Sequence, residues 1–177
     1  FDDWNLDYAY SGSQKCLACP PGLSPVAISK RALALVKGRE NLPSSWCLDL
    51  GLIADYWDIK HKAHHTAPVN MIYGLRESLK LVFEEGLETR WARHHKLSDA
   101  LKAGLGAMGL NLPINSDIGL DQLTVVDIPD GIDDELFRTH LLRRYLIEIG
   151  KGLGQFQGKI WRIGLMGESC VPANVFA

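Results

Sequence analysis

Over residues 70–85, Ile72, Leu75, Leu79, Val82 and Phe83 recur at helical spacing and share one face. A second helical stretch runs over about 87–105, with Leu87, Trp91, Leu97 and Leu101 as candidate core positions, and Gly106 and Gly109 break it. The pattern then changes period. Residues 123–128 (LTVVDI) read as a strand, Asp130-Gly131 as a turn, and 133–145 as an amphipathic helix with Leu136, His140, Leu141 and Tyr145 inward. Residues 146–149 and 159–165 read as two more strands, and 172–177 as the start of a helix. A helix–strand–helix–strand–strand order can close on itself as a small α+β domain.

The first 69 residues have a different character. Strands are expected over 6–11 and 23–29, a helix capped by Ser29 over 30–36 and ended by Gly38, and a helical stretch over 47–57. These are pieces of an α/β sheet with few strands to complete it. The expected organisation is therefore residues 1–69 as the end of a larger α/β domain and 70–177 as a small C-terminal α+β domain whose last helix is cut short.

Composition narrows the function classes. Hydrophobic residues make up 46% and charged residues 23% of the 177, the mixture of an ordinary globular chain. With 19 basic and 21 acidic side chains, the net charge of -2 gives no overall positive field for nucleic acid or an acidic membrane surface. No apolar run approaches the roughly 20 residues of a membrane span. The acidic, aromatic start at Phe1-Asp2-Asp3-Trp4 reads as neither signal nor transit peptide, and the missing Met suggests processing or truncation. Cys16, Cys19, Cys47 and Cys170 are expected as free thiols in a reducing compartment.

The chemistry-bearing residues begin with Lys15. It follows Ser11-Gly12-Ser13-Gln14 at a strand end and precedes Pro20-Pro21-Gly22. A lysine on a tight turn at a sheet edge can reach a cofactor, and burial there would favour the neutral amine that Schiff-base chemistry needs. Cys16-x-x-Cys19 is read as two packed thiols rather than a redox or metal pair. His61, His64 and His65 lack the spacing of a zinc site, so no metal is expected. Arg143-Arg144 reads as a solvated face, and Trp91, His94 and His95 as a core edge.

Four ordered segments resemble one family. YSGSQKCLACPPG (residues 10–22) is similar to the cofactor-lysine signature of class V aminotransferases, in the branch that holds the alanine–glyoxylate, serine–pyruvate and insect 3-hydroxykynurenine transaminases. His64-His65-Thr66 followed by Leu75-Arg76-Glu77 resembles the family's HHT…LRE stretch. Leu123-Thr-Val-Val ahead of a Pro-Asp-Gly turn is the third, and the glycine-rich run from Gly152 through Arg162 to Gly167 resembles the substrate-arginine strand. The resemblance implies a fold-type I transferase dependent on pyridoxal 5′-phosphate. The enzyme would move an amino group from alanine or serine to glyoxylate or pyruvate, as a homodimer with a shared active site. It further implies that Lys15 carries the cofactor covalently, Gln14 lies beside it, Thr66 binds the phosphate held by the partner subunit, and Arg162 grips the substrate carboxylate.

Two departures stand out. Ala63 occupies a position where the family often has a phosphate-binding Tyr, and Lys151 replaces a glycine common before the substrate arginine. The resemblance also places the phosphate-binding glycine turn, the aromatic that stacks on the ring, and the Asp that pairs with the pyridine nitrogen ahead of residue 1. The chain alone is thus expected to be a poor catalyst. A cysteine desulfurase is the enzymatic alternative, opposed by Gln14 where desulfurases have His; a non-catalytic fragment with dimer-forming surfaces is the other. An intracellular location is expected: peroxisomal in a eukaryote, otherwise cytoplasmic or mitochondrial.

Overall fold

A computed structural model describes residues 1–58 and 63–177. The chain divides into two compact units: Phe1–Gln14 with Cys19–Arg76, and Lys15–Ala18 with Glu77–Ala177. The four residues that begin with Lys15 thus belong to the unit formed by the second half of the chain.

In the first unit, β1 (Tyr8–Tyr10) pairs antiparallel with β2 (Val26–Ile28), Ala9 opposite Ala27. Ser29 caps α1 (Lys30–Gly38) as expected. Its hydroxyl accepts the Ala32 N–H at 3.0 Å and donates to the Asp7 carboxylate at 2.7 Å, which ties the helix start to the strand edge. The expected helix over 47–57 is split. A 3-10 turn spans Trp46–Leu48, and α2 (Leu50–Trp57) restarts at Asp49, whose side chain accepts from the Gly51 and Leu52 N–H groups. An acidic cap stabilises a new helix start better than it suits a helix interior. α3 (Val69–Glu85) carries the division between the units, with Arg76 in the first and Glu77 in the second.

The second unit holds α4 (Leu87–Ala107), β3 (Leu123–Asp127), α5 (Asp134–Tyr145), β4 (Gly150–Lys151), β5 (Ile160–Gly164) and the short α6 (Pro172–Val175). Its three strands form an antiparallel sheet in the order β3-β5-β4, with Val126 opposite Trp161 and Gly150 opposite Arg162. Leu105, Val126 and Trp161 form one core cluster, and Leu97, Leu165 and Cys170 a second, with Leu101 against both. Trp161 is held on two sides. Its ring stacks on Phe137 at 4.3 Å between centroids, and its Nε1–H donates to Asp134 at 3.0 Å.

Several expected faces differ. On α4, Leu97 and Leu101 lie inward, but Leu87 and Trp91 are exposed; the buried line is Arg90, His94, Leu97, Ser98 and Leu105. On α5, Leu136, His140 and Tyr145 are exposed and only Leu141 is half-buried as expected, while Asp134 and Phe137 turn inward because Trp161 offers a donor to one and a ring to the other. On α3, Leu79 and Phe83 are exposed, and the one buried residue is Ser78. Residues 146–149 are not a strand. Leu146 adopts a left-handed conformation (φ 59°) that closes α5, its N–H bonded back to Leu142 and that of Ile147 to Leu141, so pairing starts only at Gly150. The four cysteines are unbridged, and no described helix is long and apolar enough to cross a membrane.

Candidate active site

The loop ahead of Lys15 is fixed by a buried hydroxyl. Ser13 is fully buried; its Oγ donates to the Pro20 carbonyl at 2.8 Å and accepts the Leu23 N–H at 3.3 Å. Its backbone carbonyl accepts the Cys19 N–H at 3.0 Å. The Pro-Pro-Gly arm is thereby laced to the strand end. Gln14 folds back over Gly12, where a Cβ would lie 2.9 Å from the Gln14 Oε1, so only glycine leaves the amide its place. Lys15 follows, exposed, and makes no ion pair among the described residues. The Ala18 N–H donates to the Lys15 carbonyl at 2.8 Å, and Ala18 takes a left-handed φ of 54°, unfavourable for a residue with a Cβ. The amine is therefore presented outward rather than buried, contrary to the burial expected from its turn.

Beneath the Lys15–Ala18 turn lies an ionic network within the second unit. Arg90, 5% exposed, donates through Nη2 to the Cys16 carbonyl at 3.1 Å and through Nη1 to Glu85 at 2.7 Å and Glu168 at 2.9 Å. Arg93 grips the same Glu85 with two bonds, 2.5 and 2.9 Å, and holds the Gly167 and Cys170 carbonyls. The Arg93 guanidinium, followed by that of Arg90, pulls the Glu85 carboxyl down to about 2. The buried His94 lies 2.7 Å from the Arg90 carbonyl through Nδ1 and accepts the Gly167 N–H at its Nε2. A carbonyl can only accept, so those partners place the proton on Nδ1. Gly167 itself has φ 58°, and a Cβ there would come within 2.7 Å of Ala18 Cβ and 2.8 Å of the Cys16 oxygen. Sequence reading had His94 as a core edge and passed over both arginines. The spacing of Glu85, Arg90 and Arg93 was the available signal.

Arg162 sits at the centre of the sheet, opposite Val125 on one side and Gly150 on the other. Strand alternation turns it to the face opposite Trp161. Its Nε donates to the Lys151 carbonyl at 2.8 Å, which aims the remaining guanidinium edge, and no ion pair occupies it among the described residues. A Cβ on Gly150 would lie 3.4 Å from its Nη2. At Gly152 a Cβ would fall 2.0 Å from the Phe156 carbonyl oxygen, so the loop closes only around glycine. The side chain of Lys151 is exposed, and only its backbone serves Arg162.

In the first unit, Trp46, Ala63, His64, His65 and Thr66 line an open depression of about 510 Å³. His64 packs on Trp46 at 4.2 Å and lies within 2.9 Å of His65, Nδ1 to Nδ1. Thr66 is exposed, with no hydrogen-bond partner among the described residues. Lys15 and Arg162 thus belong to one unit, Gln14 and Thr66 to the other. His61 lies outside the described residues. No group of three or more potential metal ligands occurs among those described.

The class-V aminotransferase profile matches residues 1–153. The (S)-ureidoglycine–glyoxylate transaminase of Bacillus subtilis is 41% identical over 98% of this chain and 46% of its own. The solved structure of alanine–glyoxylate aminotransferase from Nostoc sp. superposes with a TM-score of 0.95 at 43% identity, covering 99% of this chain and 46% of that one. A cysteine desulfurase from Thermococcus onnurineus, at 14% identity and a TM-score of 0.69, shares the fold alone. The chain spans less than half the length of the relatives it matches. The fold is that of a fold-type I aminotransferase, and the chain belongs to the class-V aminotransferase family.

Proposed function

We propose that this chain forms the cofactor-lysine and substrate-arginine portion of a transaminase that uses pyridoxal 5′-phosphate. Such an enzyme transfers an amino group from alanine or serine to glyoxylate or pyruvate. The observation that carries the reading is Arg162: a half-buried guanidinium, aimed by a backbone carbonyl and left without an acidic partner among the described residues. An arginine so held suits a planar carboxylate, which amino acids and 2-oxo acids share. The residues present also fit the cofactor. Lys15 offers an outward primary amine on a braced turn, and Thr66 an unengaged hydroxyl.

When bound, the cofactor supplies the electron sink. Lys15 would hold it covalently through Nζ and, once released, carry the proton to and from the substrate Cα. Gln14 would bear on the cofactor from beside Lys15. Thr66 would serve the phosphate of the partner subunit, which makes the active unit a homodimer. Residues 1–69 would then close the large domain and 70–177 form the small one. An intracellular, in a eukaryote peroxisomal, location belongs to the same reading.

Both relatives' names share glyoxylate, which supports it as acceptor; ureidoglycine, named in one of them, is a third candidate donor. The test is Lys15→Ala in the full-length polypeptide, assayed for the cofactor's visible absorbance and for turnover with glyoxylate against alanine, serine and ureidoglycine. Loss of both is expected. A variant that keeps its absorbance and activity would remove Lys15 from the site.

A further inference from the structure

We propose that Arg90 is a positioning residue for Lys15. It fixes the backbone from which the lysine projects and touches neither cofactor nor substrate. The inference rests on the reading of Lys15 given above and assigns a role to the ionic network that reading leaves unused.

The turn that carries Lys15 is internally weak. It has one hydrogen bond of its own, from the Ala18 N–H to the Lys15 carbonyl, and it ends on a left-handed alanine. A left-handed conformation at a non-glycine residue persists only where its surroundings over-determine it. Here Arg90 does so from below, with Nη2 on the Cys16 carbonyl, one residue beyond Lys15. Gly167 supplies the wall, since its bare Cα lets Ala18 and the Cys16 oxygen approach closer than any side chain would allow.

Arg90 is itself immobilised. Glu85 and Glu168 occupy Nη1, and the carbonyl of Arg90 is bonded to His94, which in turn holds the Gly167 N–H. The clamp and the wall are therefore parts of one hydrogen-bonded unit. A lysine could replace the charge but not the planar fork that serves a carboxylate with one nitrogen and a carbonyl with the other.

The test compares Arg90→Lys and Glu168→Gln with wild type in the full-length, cofactor-loaded protein. Glu168 is the half-exposed arm of the clamp, so its replacement is the milder change. Three quantities are read: the cofactor dissociation constant, the position of the visible absorbance band, and the fraction of Lys15 that borohydride traps with cofactor attached. Arg90→Lys is expected to weaken cofactor binding by roughly tenfold, the usual consequence of losing a charge-assisted hydrogen bond, and to shift the band and lower the trapped fraction. KM for the amino donor should stay within about twofold, because Arg162 is untouched. Glu168→Gln should move the same readouts in the same direction by less. A purely structural role would lower the melting temperature and leave the band and the trapped fraction unchanged, which would overturn the proposal. Should Arg90→Lys fail to fold, Glu168→Gln decides, and unaltered readouts there overturn it. Lys15→Ala is the control: if its band survives, the reading of Lys15 has failed; if only the clamp variants are silent, the role of Arg90 has.

Discussion

Replacing Glu85 by glutamine removes the negative charge from a carboxylate held by two guanidinium groups. Glu85 receives two bonds from Arg93 and one from Arg90, and its side chain is 21% exposed. Its carboxyl is lowered from 4.5 to about 2, chiefly by Arg93. At about 1.4 kcal/mol per pH unit, the ionised form gains about 3 kcal/mol over the protonated one, and residual solvent contact reduces this to roughly 2 kcal/mol. The lowered group contributes stability that is fully present above about pH 4.5 and is lost as pH falls toward 2. Glutamine keeps one acceptor oxygen, but its NH2 group is a donor that cannot pair with the guanidinium groups of Arg93 and Arg90, so at least one of the three bonds is lost. The cost at neutral pH should therefore reach roughly 3 kcal/mol. Urea unfolding of wild type and variant, repeated between pH 7 and pH 2, measures both effects. Asp7, Asp49 and Asp134 are lowered too and steepen the acid loss in both proteins, so the difference between the two curves is the quantity of interest. The gap should be widest near neutrality and narrow by roughly 2 kcal/mol in acid. A gap below about 1 kcal/mol, or one independent of pH, would refute the reasoning.

Three further outcomes are expected. Gly152→Ala places a Cβ 2.0 Å from the Phe156 oxygen and should cost more than about 3 kcal/mol or rearrange the loop before β5, as melting and amide exchange would reveal. Arg162→Lys should raise the Michaelis constants for amino donor and keto acceptor about tenfold or more while cofactor affinity stays near wild type; unchanged constants would put Arg162 elsewhere. Limited proteolysis of the 177-residue chain should leave a resistant fragment beginning between about residue 70 and residue 77, identified by mass spectrometry, and a product starting well downstream would contradict the two-unit division.

Signals that act over one turn of chain were legible. Ser29 caps the helix it precedes, and helical spacing located α3 and α4 to within two residues. Lys15 and Arg162 were singled out as candidates by ordered motifs rather than by local spacing. Signals that depend on tertiary partners were not. Arg90 carried no signal of its own and His94 read only as a core edge, because the Glu85, Glu168 and backbone partners that satisfy them inside come from other parts of the chain. The inward face of α5 was misplaced because Trp161 selects Asp134 and Phe137, a choice that α5 alone does not encode. Leu146 and Ile147 have strand-forming side chains, but the carbonyls at the end of α5 capture their N–H groups first.

The way Arg162 is held also bears on how this segment tolerates change. What it grips is a main-chain oxygen, which every amino acid carries. Position 151 can therefore drift freely in sequence, and the lysine found there is silent as far as the arginine is concerned. Its neighbours have no such latitude, for a methyl group at 150 crowds the guanidinium and one at 152 collides with the peptide of Phe156. The segment is a three-letter word with a free middle letter between two restricted ones, so related chains should vary at the middle position without moving the arginine.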